Sequence, residues 1–381
     1  MSESLPAKDM NSTPPSDGSS SPRSLRELVN MVSGRSEQPI LGEVSGLAES
    51  CPFPFLALVG QTEMKLALLL SVINPAIGGV LLIGPRGTGK TTAVRSLLHL
   101  LPQVTRSTCF YGCLPEDVES GGMDAVCPDC ARKYAMGDPM AVSSPVNLVE
   151  LPLNSRLEDV VGGLDDRAAL HDRLRLKRGI LSMADQNLLY VDEVNLLADE
   201  IINAILDASA LGVYTVHRGP ISATYRSRLT LIGSMNPEEG NLRPQILDRF
   251  GLRVFVHGLT EPKDRLEAYH RVRAYQQNPR LLASQFSIIT QQARLEIEQA
   301  RQILPQVSIP DEVAQFGIQL IQNLEIDSLR AEITLFESAR ALAASDGRLQ
   351  VQLADLKQVS TLALRLRNSP FMQEYLKIQI R

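Results

Sequence analysis

The sequence predicts an α/β fold, a mainly parallel sheet covered by helices, followed by a C-terminal all-helical domain. Three observations predict it. Short apolar runs alternate with helix-spaced segments from Pro54 to about Gly258. A glycine-rich loop directly follows one of those runs. Beyond Glu261-Pro262 the strand pattern stops and helical spacing replaces it.

Taken in order, residues 1–38 are rich in Ser, Pro and Gly, as in Asn11-Ser12-Thr13-Pro14-Pro15. Such a segment buries too little apolar area to offset its ordering entropy, so it reads as a tail, with at most a helical turn or two at Leu25, Leu28 and Val29. The α/β domain spans 39–260. Its strand candidates are Val80–Ile83, Asn147–Leu151, Leu188–Val191, Leu229–Ile232 and Arg253–Val256. Runs this short and apolar, with helices between them, suit a parallel sheet buried on both faces. Residues 213–225 instead alternate on both sides of Gly219-Pro220, the pattern of a projecting hairpin. The helical domain spans 261–381, with Leu320, Ile321 and Leu324, then Leu335, Ala339 and Leu342, at helical spacing. Pro305 and Pro310 mark a break between its helices.

A chain of 381 residues has room for two domains with real cores. A net charge of -5, a pI of about 5.7, 4% aromatics and no Trp argue against a nucleic-acid coat or a base-stacking platform. No apolar run reaches the roughly 18 residues a membrane span needs, and the N-terminus lacks a secretory h-region. The expectation is a cytoplasmic protein, whose five Cys are metal ligands or free thiols before they are disulfides.

The loop Gly84-Pro85-Arg86-Gly87-Thr88-Gly89-Lys90-Thr91 fits G-x-x-x-x-G-K-[ST]. Its glycines let backbone N–H groups turn inward around phosphate oxygens, and a helix starting near Lys90 adds its positive end. Residues Gly84 to Thr91, with Thr92, are therefore the candidate ATP-binding set. Lys90 would neutralise phosphate charge, and the Thr91 hydroxyl would ligate Mg²⁺. The strand Leu188-Leu189-Tyr190-Val191 ends in Asp192-Glu193. There Asp192 would hold Mg²⁺ and Glu193 would orient or deprotonate the attacking water. Asn236, at the tip of the strand ending near Gly233, can reach the γ-phosphate or that water. Alone, Asn-Pro signals only a turn.

Cys109-x3-Cys113 and Cys127-x2-Cys130 occupy one loop-like segment, 109–130, with Gly112, Pro115, Gly121, Gly122 and Pro128. Two thiolate pairs at this spacing can form a tetrahedral Zn²⁺ site. The alternative is four reduced thiols in an insertion. Cys51 stands apart.

These residues resemble the ATPase subunit I family of magnesium chelatase. The matching strings are Val59-Gly60-Gln61-Thr62-Glu63-Met64-Lys65-Leu66-Ala67-Leu68, the phosphate loop, Leu189-Tyr190-Val191-Asp192-Glu193-Val194-Asn195-Leu196-Leu197, Met235-Asn236-Pro237-Glu238-Glu239-Gly240, and Leu242-Arg243-Pro244-Gln245-Ile246-Leu247-Asp248-Arg249-Phe250-Gly251. The resemblance covers about residues 54–364. It implies a P-loop AAA+ domain with a helical lid and a hexameric ring holding ATP at subunit interfaces. It further implies two partners: a D-type subunit with AAA+ and integrin-like parts, and a large porphyrin-binding H-type subunit. Arg249 then matches the arginine finger that enters a neighbour's site, the alternative being a surface ion pair with Asp248. Arg330 matches the sensor arginine of the lid. The family places the 213–225 hairpin and an insertion at about 152–180 on the face that meets partners. Two stretches of that insertion depart from the family pattern: Gly179-Ile180-Leu181-Ser182-Met183-Ala184, and a shorter, more basic Leu170 to Lys177. The implied activity is ATP-driven insertion of Mg²⁺ into protoporphyrin IX in chlorophyll or bacteriochlorophyll synthesis. A cobalt chelatase motor of corrin synthesis shares the motifs, and a MoxR-like assembly chaperone is the alternative from another class.

Overall fold

The computed structural model describes residues 51–164, 176–219 and 221–367. The expected tail at 1–38, part of the 152–180 insertion, Pro220 and the end of the helical domain lie outside the described residues.

Eleven strands are present among the described residues: β1 Val80–Ile83, β2 Val104–Ser107, β3 Ala141–Ser144, β4 Leu148–Glu150, β5 Gly162–Leu164, β6 Leu176–Arg178, β7 Leu188–Val191, β8 Val213–Arg218, β9 Ile221–Arg226, β10 Thr230–Met235 and β11 Leu252–Phe255. Five of them form the central sheet in the order β11-β1-β10-β7-β4, all parallel. These are the five apolar runs of the sequence. Alternation explains why they are apolar throughout. Val80, Leu82, Leu188, Tyr190 and Ile232 enter one core, while Leu81, Ile83, Leu189, Val191 and Leu231 enter the core on the opposite face.

The helices are α1 Thr62–Ile73, α2 Lys90–Leu97, α3 Pro115–Gly121, α4 Pro128–Met136, α5 Leu157–Val161, α6 Ile180–Met183, α7 Asp199–Leu211, α8 Pro244–Arg249, α9 Pro262–Gln277, α10 Pro279–Gln285, α11 Ser287–Ile303, α12 Asp311–Asn323, α13 Leu329–Ser345 and α14 Leu353–Leu364. From α9 onward the chain is helical, as its periodicity predicts. Ala331, Leu335, Ala339 and Leu342 line the buried side of α13. That helix packs against α1, α11, α12 and α14. One apolar core therefore runs from the sheet through α1 into the helical region. Leu324 departs from expectation: it falls just past the end of α12 and is exposed.

The segment 109–130 differs from the loop its composition suggests. It holds two short helices, α3 and α4, each with Pro at its first position and at least one acidic residue in its first turn. Proline there gives up an N–H that a helix start leaves unpaired anyway, and the carboxylates complement the dipole. β2 and β3 pair antiparallel at the base of this module. β8 and β9 form the hairpin expected at 213–225, paired from Val213 with Arg226 to Arg218 with Ile221.

Candidate functional site

β1 ends at Ile83 and the chain enters the phosphate loop at once. A Cβ on Gly84 would lie 2.1 Å from the Val256 carbonyl oxygen, so only glycine lets β11 run past this turn. Gly89 precedes α2 with φ +86°, a conformation that L side chains rarely adopt. The Lys90 ammonium donates to the carbonyls of Gly84 (2.6 Å) and Pro85 (2.8 Å), which holds it over the loop. Burial lowers its pKa from the ordinary lysine value, and Asp192, Glu193 and Glu239 oppose that shift.

The acidic strand end comes to the same place. Thr91 Oγ1 lies 3.4 Å from Asp192 Oδ2. Two residues that the sequence reading did not assign complete the cluster. The Tyr190 hydroxyl is 3.1 Å from Thr91 Oγ1, 2.9 Å from Asp192 Oδ1 and 3.2 Å from Ser234 Oγ. Ser234 in turn donates to Asp192 Oδ1. Burial pushes the Tyr190 hydroxyl up to about 12, so it keeps its proton. The signal for Tyr190 was its phenol inside an otherwise aliphatic strand, where a buried hydroxyl needs partners.

Glu193 takes a left-handed backbone, φ +49°. Its N–H is held by Asp192 Oδ1 (3.2 Å) and Ser234 Oγ (3.3 Å). Such a backbone costs free energy and persists only where neighbours hold it, which aims this carboxylate away from the strand line. Arg86 reaches from the phosphate loop to Glu193 at 3.0 Å and also pairs with Glu239. Asn236 follows β10 and is buried. Its Oδ1 accepts from the Glu238 N–H at 3.3 Å, so it caps the turn that carries Glu239. Asn195 Nδ2 bonds the carbonyls of Asn236 (3.4 Å) and Gly240 (3.3 Å), tying that turn to the acidic strand end.

Thr88 and Thr92 border a cavity of about 800 Å³ beside the phosphate loop, lined also by Val59, Gln61, Met64, Leu259 and Arg265. A largely apolar cleft of this size suits a nucleotide base and ribose. Its wall is held by two buried cations with no assigned role at the level of sequence. Lys65 donates to the Leu58 carbonyl, and Arg271 donates to the Ala57 carbonyl at 3.0 Å. Burial, with Arg271 nearby, lowers the Lys65 pKa to about 8.

Arg249 and Arg330 lie elsewhere. Among the described residues no hydrogen bond or ion pair joins either to residues 84–92. Arg249 pairs with Asp207 of α7 at 2.8 Å, not with Asp248 as the sequence alternative had it. The α8 helix turns consecutive side chains to different sides, and Asp248 points inward instead. It accepts from Ser328 Oγ (2.9 Å) and Arg367 (2.8 Å), with Arg330 at 3.5 Å. Burial would raise the Asp248 pKa, yet Ser328 and the guanidinium groups of Arg367, Arg253 and Arg330 bring it below the usual carboxylate value.

The four cysteines converge. Their sulfur atoms all lie within 4.8 Å of one another, and none is in a disulfide. Cys109 Sγ accepts from the N–H groups of Tyr111 (3.3 Å) and Cys113 (3.2 Å), and Cys113 Sγ accepts from that of Cys127 (3.4 Å).

An AAA domain family matches residues 78–234 and an AAA lid domain family matches 317–379. A magnesium-chelatase subunit ChlI homolog of Methanocaldococcus jannaschii is 42% identical over 84% of this chain and 87% of its own length. The magnesium-chelatase 38 kDa subunit of Rhodobacter capsulatus is 41% identical over 86% of this chain and 91% of its own. A chain of the BchI–BchD magnesium chelatase complex, reconstructed by cryo-EM, is 39% identical over 86% of this chain and 100% of that one, with a TM-score of 0.48. No helix among the described residues is long and apolar enough to cross a membrane. With an AAA domain, an AAA lid and this degree of identity along most of its length, the chain belongs to the magnesium-chelatase ChlI subunit family.

Proposed function

We propose that this chain is the ATP-hydrolysing motor subunit of a magnesium chelatase, driving Mg²⁺ insertion into protoporphyrin IX held on a separate H-type subunit. The observation that carries the ATPase reading is the convergence of Lys90, Thr91, Asp192 and Glu193 at the end of the sheet, locked by Tyr190 and Ser234. Backbone N–H groups of residues 84–92 and the Lys90 ammonium would bind the phosphates. The Thr91 hydroxyl and the Asp192 carboxylate are an all-oxygen donor pair suited to the Mg²⁺ of MgATP. Glu193 would take the proton of the attacking water. Its partner Arg86 has a largely exposed side chain. An exposed ion pair is worth little, so incoming phosphate can draw Arg86 off and release the carboxylate.

Arg249 on α8 would act in a neighbour's site within a homo-oligomeric ring, a hexamer by family resemblance, and Arg330 would report the nucleotide state through Asp248. The D-type subunit is the second AAA+ partner in this reading. The four cysteines would hold a structural Zn²⁺. Their soft, convergent donor set fits that ion. In this reading the ATPase domain is 39–260 and the lid is 261–381. The test is reconstitution with H- and D-type subunits, protoporphyrin IX, Mg²⁺ and ATP, following Mg-porphyrin fluorescence. Fluorescence that grows with the native chain and not with Glu193→Gln supports the reading. Activity with Co²⁺ and a corrin precursor alone would favour the cobalt chelatase instead.

A further inference from the structure

The four-cysteine module stands against the hairpin. Its own apolar core consists of Cys113, Val118, Cys130 and Met140, with Cys109, Val126 and Cys127 packed around them. Five of those seven residues carry sulfur. A segment with so little else to bury depends on a cross-link or an ion for its order.

The hairpin has a matching deficit. Along β8 and β9 only Val216 and Tyr225 are buried. The Tyr225 ring is enclosed by Tyr214 (5.6 Å between centroids) and by two residues of the Cys109–Cys113 loop, Phe110 (5.8 Å) and Tyr111 (5.8 Å, stacked). The next residue, Arg226, pairs with Asp117 at the start of α3. Between the two cysteines, Gly112 comes so close that a Cβ there would lie 3.2 Å from the Arg226 Cβ. The base of the hairpin is therefore held by residues that sit between, or just after, Cys109 and Cys113.

We propose that a metal ion bound by Cys109, Cys113, Cys127 and Cys130 is the anchor of the β8–β9 hairpin, so that metal occupancy sets the order of this projecting element. The inference rests on the Zn²⁺ reading of the cysteines. Each thiol enters as a thiolate and gives its proton to solvent, and four thiolates with Zn²⁺ leave a site of net charge minus two. Zn–S bonds of about 2.3 Å require sulfur separations of about 3.8 Å, and the four sulfurs already lie within 4.8 Å of one another. Closing the ion fixes both ends of the 109–113 loop. That fixes Phe110 and Tyr111, and through them Tyr225.

The experiment uses the full chain. Metal content is measured as purified, after chelation and after refilling with Zn²⁺ alone, alongside amide hydrogen exchange. About one zinc per chain is expected. Removing it should speed exchange about tenfold or more in 104–144 and in 213–226, while β1 and α2 keep their protection. Refilling should restore both. A Tyr225→Ala variant should keep its zinc and its slow exchange in 104–144, yet exchange quickly across 213–226. Zinc that binds and orders 104–144 while the hairpin is indifferent to it overturns the anchor and leaves the metal site standing. So does a Tyr225→Ala hairpin that stays protected. A chain that takes up no zinc overturns both readings together.

Discussion

Tyr190 touches Thr91, Asp192 and Ser234 with one hydroxyl, so the proposed Mg²⁺ ligands are positioned by a residue that need not itself meet nucleotide. Tyr190→Phe should fold normally, because it keeps the ring in the core, and should raise the Mg²⁺ concentration for half-maximal ATPase roughly tenfold, the loss of one hydrogen bond to a charged group at about 1.5 kcal/mol. An unchanged Mg²⁺ titration would show that Asp192 is held well enough without it. Lys65 makes a prediction about pH. Its folded pKa of about 8 lies below its ordinary value of 10.5. Below pH 8 it is protonated folded or unfolded, and the cost of burying the charge is fully present. Between about pH 8 and 10.5 the folded chain binds fewer protons than the unfolded one, so stability rises with pH. Relative to Lys65→Met, the native chain should gain up to roughly 3 kcal/mol across that window. Parallel denaturant curves at pH 7.5 and 10.5 check it, and a constant difference would contradict it. Neither residue was assigned a role from sequence, because the role of each comes from atoms distant in the chain.

At the scale of elements, α8 carries two neighbours with opposite tasks. Asp248 faces inward and meets Arg367 and Arg253, both fully buried, while Arg249 faces Asp207. Arg253 also bonds the carbonyls of Leu247 (2.9 Å) and Phe250 (3.0 Å), and Arg367 bonds Thr334 Oγ1 (2.9 Å) on α13. The helix bearing the proposed finger is thus fastened to the lid. Asp248→Ala leaves two buried guanidinium groups without their carboxylate and should destabilise the fold by about 3 kcal/mol. It should also slow hydrolysis in the assembled ring more than in dilute subunits. Chemical denaturation and ATPase assays over a range of protein concentrations measure both. A stability change below about 0.5 kcal/mol would mean the backbone carbonyls suffice for the arginines. The β1–loop–α2 element was legible in the chain because glycine spacing and an apolar run are local properties. The inward turn of Asp248 was not, since it depends on where α13 and Arg367 come to rest.

At the scale of the whole molecule, the ring model makes the sharpest demand. If Arg249 acts in trans, Arg249→Ala subunits keep a good phosphate loop but cannot complete a neighbour's site. Lys90→Ala subunits have the complementary defect. Each alone should lose on the order of 10³-fold in hydrolysis, about 4 kcal/mol of transition-state stabilisation. Mixtures should recover part of the activity at interfaces that join a sound loop to a sound finger. Co-assembled subunits with no more activity than the separate mutants would place Arg249 outside the neighbour's site.

The sequence by itself determined the parallel sheet, the phosphate loop, the acidic strand end, the hairpin and the helical region. Each is written in spacing along a few residues: an apolar run, a glycine at a fixed offset, a period of two or of 3.6. Only the tertiary structure decided that Tyr190 and Ser234 brace Asp192, that Lys65 and Arg271 hold the wall of the cavity beside the phosphate loop, and that Arg249 pairs with Asp207. It alone brought the four sulfurs within 4.8 Å of one another and set their module against Tyr225. Those contacts join residues from distant parts of the chain, and a buried charge or phenol takes its partners from whatever the completed core places beside it.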